Sequence, residues 1–135
     1  MSATPANNID PASVVGHFVN GAERSDDNRP LPVTNPATGQ VIRQVAMASA
    51  GTVAEAVDAA QAAFPAWRDT PPAKRARIMF RFKQLLEEHA DEIAAAITEE
   101  HGKVFDDALG EFGRGVEVVD YACGIPDLLK GEYSR

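Results

Sequence analysis

Thiol chemistry is almost absent from this 135-residue chain: Cys123 is its single cysteine. An internal disulfide is therefore excluded, and the pattern fits a reducing, cytoplasmic compartment. No apolar run approaches the ~18–20 residues of a transmembrane helix. The opening residues MSATPANNIDPAS lack the basic and apolar blocks of a signal peptide, and 1–13 reads as a disordered polar tail. Positive charge is scarce, with 13 Lys and Arg against 20 Asp and Glu and a net charge of −7. That balance argues against non-specific nucleic-acid binding, which needs a basic footprint. There is no G-x-G-x-x-G after a strand and no Walker-type loop. His17, His89 and His101 have no cysteine or carboxylate at ligand spacing, so no metal site is expected. No Ser/His/Asp set is credible, and no catalytic or cofactor-binding residue is assigned.

What remains is ordinary for a water-exposed globular segment, at 44% hydrophobic and 24% charged residues. A chain of this length is one domain or less and can bury roughly two thirds of its unfolded surface. Val14 to Val19 followed by Asn20-Gly21 reads as a strand entering a hairpin turn, and Glu23 to Pro30 as a polar connection. Asn35-Pro36 with Gly39 forms a second turn. Val41, Arg43 and Val45 alternate against Ile42, Gln44 and Ala46 at the strand period.

Three helical patterns follow. Thr52-Val53-Ala54-Glu55 has the form of a capping box with Thr52 as N-cap, and Val53, Val57, Ala60, Phe64 and Trp67 share one face, with Pro65 expected to kink or end the helix. Trp67 reads as a packing anchor. Thr70-Pro71 opens the longest helix, with Thr70 as N-cap. Its apolar sector is Ile78, Phe82, Leu85, Leu86, His89, Ile93 and Ile97, placing His89 as a core or boundary residue; Asp91-Glu92 marks a possible fresh N-terminus. Lys74, Arg75, Arg77 and Arg81 crowd the positive end of this helix, against the dipole preference. With Phe80 off the main stripe, they are either a solvated basic face or a surface for something acidic and apolar supplied by the rest of an enzyme or a neighbouring subunit.

The third helix spans Phe105 to Cys123, after a left-handed cap at Gly102 and before the stop at Gly124 and Pro126. Asp106 and Asp107 suit its first turn. Phe105, Leu109, Phe112, Val116, Val119 and Cys123 form one stripe, which makes Cys123 a core residue rather than a nucleophile. Val118, Tyr121 and Ile125 form a second stripe in line with Arg114. The glycines of GEFGRG lie inside this helical pattern, each unfavourable by ~1 kcal/mol relative to alanine, and read as sites of close backbone packing. Arg114 has two readings: an exposed ion pair with Glu111 or Glu117, or a guanidinium that grips a substrate carboxylate bidentately beside Val118 and Tyr121.

EEHGK, DALGE, GRGVEVVDYACGIP and LLKGE, between Glu99 and Glu132, together with NPATGQVI, resemble the N-terminal part of an aldehyde dehydrogenase. The GRG followed by a helix and a CGIP turn is similar, more narrowly, to the CoA-acylating methylmalonate-semialdehyde dehydrogenase branch. The resemblance runs from about Phe18 to Gly131; Tyr121 and Cys123 depart slightly from the commonest pattern. It implies a mainly α fold with N-terminal β-hairpins, a partial α/β architecture in which 14–135 is the hairpin and helical part of an incomplete nucleotide-binding domain. It also implies NAD and CoA in a full-length enzyme, with neither bound here, and a semialdehyde substrate carrying a carboxylate held by Arg114 and Tyr121. In that chemistry a cysteine beyond Arg135 forms a thiohemiacetal that loses hydride, CO2 leaves, and CoA takes the acyl group. The 135 residues alone are expected to be inactive. Their partners would be the rest of the enzyme or a homo-oligomer neighbour, with no membrane or nucleic acid involved. KGEYSR ends without a cap, which favours truncation over a self-standing helical binding module; another dehydrogenase of an acidic semialdehyde is the alternative within the enzyme class.

Overall fold

A computed structural model describes residues 10–26 and 29–132. Of the tail expected at 1–13, residues 1–9 lie outside the described residues. Residues 10–13 form a turn in which the Asp10 carboxylate accepts from the Ala12 N–H (3.0 Å) and the Ser13 hydroxyl donates to the Asp10 carbonyl (2.8 Å). The elements are β1 (Val14–Val15), β2 (His17–Val19), β3 (Ala22–Arg24), β4 (Pro30–Thr34), β5 (Val41–Ala46), α1 (Ala50–Asp69), α2 (Pro72–Glu88), α3 (Ala90–His101), α4 (Phe105–Cys123) and the single turn α5 (Ile125–Leu128). The mainly α reading with N-terminal strands holds.

The Val14–Val19 segment is two strands rather than one. β2 and β3 form the expected hairpin, with Asn20 (φ 52°) and Gly21 (φ 76°) both left-handed at its turn. This is the conformation that makes Asn-Gly favourable there. β1 instead leaves the hairpin and joins the other sheet, parallel to β5, in the order β1-β5-β4. The switch occurs at Gly16, where a Cβ would stand 2.6 Å from the Arg24 carbonyl oxygen. Alternation along a strand says which side chains share a face but not which strand is its neighbour, so the parallel pairing was illegible in the sequence.

The turn at Asn35 is as expected. Its carboxamide oxygen accepts from the Ala37 N–H (2.9 Å), and its carbonyl accepts from Gly39 (2.8 Å), which sits at φ 71°. Along β5, Ile42 and Ala46 are buried, so the even-numbered face of that strand turns inward.

The cap of helix α1 lies three residues before the expected one. Ser49 is the N-cap, its hydroxyl accepting from the Thr52 N–H (3.1 Å). Thr52 gives its own hydroxyl to Asp26, whose carboxylate also accepts from the Ser49 N–H (2.8 Å). Glu55 pairs with Arg24 across 3.3 Å instead of closing a capping box. A remote carboxylate thus replaced the local one, a choice that spacing within the helix cannot reveal. Pro65 does not end α1, which continues to Asp69. The carbonyl that Pro65 leaves without a donor belongs to Gln61 on an exposed stretch, where water can satisfy it. Thr70 caps the end of α1 rather than the start of α2, its hydroxyl donating to the Ala66 carbonyl (2.7 Å). α1, not α2, is the longest helix.

α2 and α3 are separate, broken at His89 (φ −111°, ψ 20°), with Asp91 and Glu92 in the first turn of α3 as expected. The anticipated stripe on α2 is largely uncovered: Ile78, Phe82 and Leu85 are exposed. His89 is half exposed and sits 3.2 Å from Glu92 rather than in a core. The side of α2 that is covered carries Arg75, Ala76, Met79, Lys83 and Leu86. Two apolar sectors compete on this helix, and α4 packs on the one holding Met79. Lys83 lies on that side with its ammonium bridging out to Asp120 of α4 (3.0 Å), a snorkelling arrangement.

The centre of the molecule is the meeting of α4 with α2 and α3. Ala94, Ala95 and Ala108 are fully buried there and let the helix axes approach closely, while among the described residues no large side chain is completely covered. Arg43 of β5 and Glu99 of α3, both mostly covered, join across 2.9 Å and tie the sheet to the helices. Val53, Val57, Phe64, Phe80 and Phe18 remain exposed. For a chain of this size so thin a core, beside so much open apolar surface, is unusual.

Candidate functional site

Helix α4 presents two sides. Ala108, Leu109, Phe112, Val116, Val119 and Cys123 point toward α2 and α3, and Cys123 is buried, so the core reading of the thiol holds. The opposite side carries Arg114, Val118 and Tyr121, all exposed.

The start of α4 is fixed from α3. Gly102 adopts the left-handed cap (φ 77°), and its N–H returns to the Thr98 carbonyl (2.9 Å). A Cβ at Gly102 would meet the Ala37 nitrogen at 2.9 Å, so the cap lies directly on the Asn35–Gly39 turn. Lys103 follows, three-quarters covered, and its ammonium donates to the Glu111 carboxylate two turns into α4. That hydrogen bond, then the charge of Lys103, holds the Glu111 carboxyl below its ordinary value; His101 and Arg114 add smaller contributions in the same direction.

Lys103, Asp106, Asp107, Gly110, Glu111 and Arg114 line one shallow polar depression of about 500 Å³. Among the described residues Arg114 makes no ion pair within 4 Å, so the exposed helix pair with Glu111 or Glu117 is not formed. Tyr121 stands seven residues on, about 10 Å along the axis at the α-helical rise. Arg114 and Tyr121 therefore share a side of α4 without lining one described depression. A Cβ at Gly110, Gly113 or Gly115 would meet nothing within 4 Å. Any close backbone packing at these glycines needs a surface other than the described residues, and they do not form a phosphate cradle.

A second, smaller cleft of about 190 Å³ lies between Trp67, Met79, Ile125 and Leu129. The Arg75 guanidinium stands 5.9 Å from the Trp67 ring there, but Trp67 is 41% exposed, so the expected packing anchor is largely open among the described residues. Sequence reasoning missed the Lys103–Glu111 pair because it crosses a helix boundary, outside the i+3 and i+4 spacing of a single helix. No helix among the described residues is long and apolar enough to cross a membrane.

The profile of the aldehyde dehydrogenase family matches residues 22–135. This chain belongs to that family. Aldehyde dehydrogenases similar to it include the malonate-semialdehyde dehydrogenase of Pseudomonas aeruginosa, 55% identical over 119 residues, which are 88% of this chain and 24% of the relative. The crystal structure of a methylmalonate-semialdehyde dehydrogenase from Oceanimonas doudoroffii is 58% identical with a TM-score of 0.87, over 91% of this chain and 25% of that one. A methylmalonate-semialdehyde dehydrogenase structure from Sinorhizobium meliloti, solved with NAD, is 42% identical with a TM-score of 0.86, over 92% and 26% of the two chains. The chain thus spans about a quarter of the length of the relatives it matches. The strands and helices described above are the aldehyde dehydrogenase arrangement over that quarter.

Proposed function

We propose that this chain serves as the amino-terminal part of a CoA-acylating, NAD-dependent dehydrogenase of malonate or methylmalonate semialdehyde, and that Arg114 holds the substrate carboxylate. The observation that carries the reading is Arg114 itself: an exposed guanidinium on α4 with no ion pair among the described residues, between two glycines whose Cβ positions are open. An arginine fork suits a planar carboxylate, and glycines on either side leave room for the ligand to approach. Tyr121, about 10 Å along the same side of α4, is assigned to the wall of the substrate site. The kinship with semialdehyde dehydrogenases supplies the substrate class.

In the complete enzyme NAD would accept the hydride and CoA the acyl group. The described residues offer neither a site, since the glycine cluster lies within α4 rather than at a strand-to-helix turn. Residues 14–135 accordingly belong beside the nucleotide site, in the hairpin and helical part of that domain. Cys123 is buried on the core stripe, which supports leaving it out of the chemistry, and on this reading the 135 residues alone are inactive. The exposed faces of α1 and α2 would be covered by the rest of the enzyme or a neighbouring subunit, in the cytoplasm, where a single free thiol is stable.

The test exchanges the matching segment of the Oceanimonas doudoroffii enzyme for this chain and compares Arg114→Gln with the unmodified chimaera. The expected result is a rise in KM for malonate semialdehyde of about 30- to 100-fold, the size of one charge-assisted bidentate contact. KM for NAD and for propanal, which lacks the carboxylate, should stay within about twofold. An unchanged KM for the semialdehyde refutes the assignment of Arg114.

A further inference from the structure

An arginine three residues after a glutamate on an exposed helix ordinarily pairs with it. Arg114 follows Glu111 at that spacing, yet Glu111 is taken by Lys103. The other helix neighbour, Glu117, lies C-terminal to the arginine, in the weaker order for a helical ion pair. We infer that Lys103 is a positioning residue for Arg114: by holding and neutralising Glu111, it keeps the guanidinium available to a substrate carboxylate. This rests on the reading of Arg114 proposed above and extends it to a residue outside α4.

Three features support it. Lys103 is built to hold Glu111, because Gly102 is locked in a left-handed cap against the Ala37 backbone and the lysine stem is largely covered. Its ammonium therefore loses less freedom on pairing than the exposed Arg114 side chain would. The hierarchy of influences on Glu111 agrees, with Lys103 foremost and Arg114 last among the groups that lower its carboxyl. The charge around the depression supplies the third reason. Asp106, Asp107 and Glu111 carry three formal negative charges against two positive ones on Lys103 and Arg114. The two aspartates lie in the first turn of α4, where the helix N-terminus offsets them. Glu111 has no such offset, and without Lys103 it would both draw Arg114 toward itself and repel an arriving carboxylate.

The experiment uses the same active chimaera and reads the KM for malonate semialdehyde divided by the KM for propanal. Lys103→Met should raise that ratio about three- to tenfold, the size of one uncompensated charge near a protein surface. Adding Glu111→Gln to Lys103→Met should return the ratio to within about twofold of the starting value, since the carboxylate that needed neutralising is gone. Lys103→Gln serves equally if the methionine variant fails to fold. A ratio unmoved by loss of Lys103, or one that Glu111→Gln does not restore, overturns the inference. Arg114→Gln measured alongside separates the two claims: if it raises the ratio and Lys103→Met does not, Arg114 keeps its role and only that of Lys103 falls. If Arg114→Gln leaves the ratio unchanged, the carboxylate reading fails first.

Discussion

Replacing Gly102 with alanine tests how the sheet and the helices are joined. Gly102 sits at φ 77°, where an L-residue with a Cβ is disfavoured by roughly 1–2 kcal/mol. The added carbon would also stand 2.9 Å from the Ala37 nitrogen, 3.0 Å from the Pro36 Cγ and 3.1 Å from the Ala37 Cβ. Backbone does not yield as a flexible side-chain tip does, so the Asn35–Gly39 turn must shift away from α3. Overpacking of this kind adds about 1–2 kcal/mol. Gly39 supplies the control, because it too is left-handed (φ 71°) but a Cβ there meets nothing within 4 Å. Gly39→Ala should therefore be disfavoured by conformation alone, about 1–2 kcal/mol, and Gly102→Ala by about 2–4 kcal/mol in total. Urea unfolding of the 135-residue chain, followed by circular dichroism at unchanged slope, reads both values. Amide exchange at Ala37 and Thr38 should also accelerate in Gly102→Ala. Equal destabilisation by the two substitutions would refute the argument, because it would mean that the turn does not rest on the α3 cap.

Other consequences are open to similar measurement. Glu99→Leu leaves the mostly covered Arg43 guanidinium without its 2.9 Å partner and should lower stability by about 1–3 kcal/mol; adding Arg43→Met should recover part of the loss, read from the urea midpoint. Glu111 has a carboxyl lowered in the folded chain, so its contribution to stability is present above the unfolded value of 4.5 and is lost as pH falls through the lower folded value. The stability advantage of the parent over Glu111→Gln should therefore be present above that window and vanish through it in acid titrations, and it should shrink in high salt. Gly110→Ala should stabilise this chain by about 0.5–1 kcal/mol in thermal unfolding, because the added Cβ meets open space within a helix. A loss of stability there would show that the glycine is needed for packing inside the chain itself.

Local physics determined much of this structure. Asn20-Gly21 and Asn35-Pro36 with Gly39 specify their turns because few other residues tolerate those backbone angles. Gly102 ends α3 for the same reason. The span of α4 was legible to the residue, since an apolar stripe at helical period, acidic residues at its start and glycine at its end all agree. Cys123 could be placed in the core on that stripe, and Arg114 was visible as a charge out of place.

Tertiary structure decided the rest. Ser49 rather than Thr52 caps α1 because Asp26, 26 residues before Thr52, claims the threonine hydroxyl. β1 pairs with β5 across a separation of about thirty residues, and the chain changes sheet at Gly16, where the close Arg24 carbonyl leaves no room for a side chain. On α2 the sector carrying Ile78, Phe82 and Leu85 is open while the Met79 side is covered. Hydrophobic periodicity finds a face that prefers burial, but which neighbour arrives to bury it depends on contacts distant in sequence. The same limit hid the Lys103–Glu111 pair. Residue type made Arg114 conspicuous, and only the folded chain shows that the neighbouring carboxylate is already held by another cation.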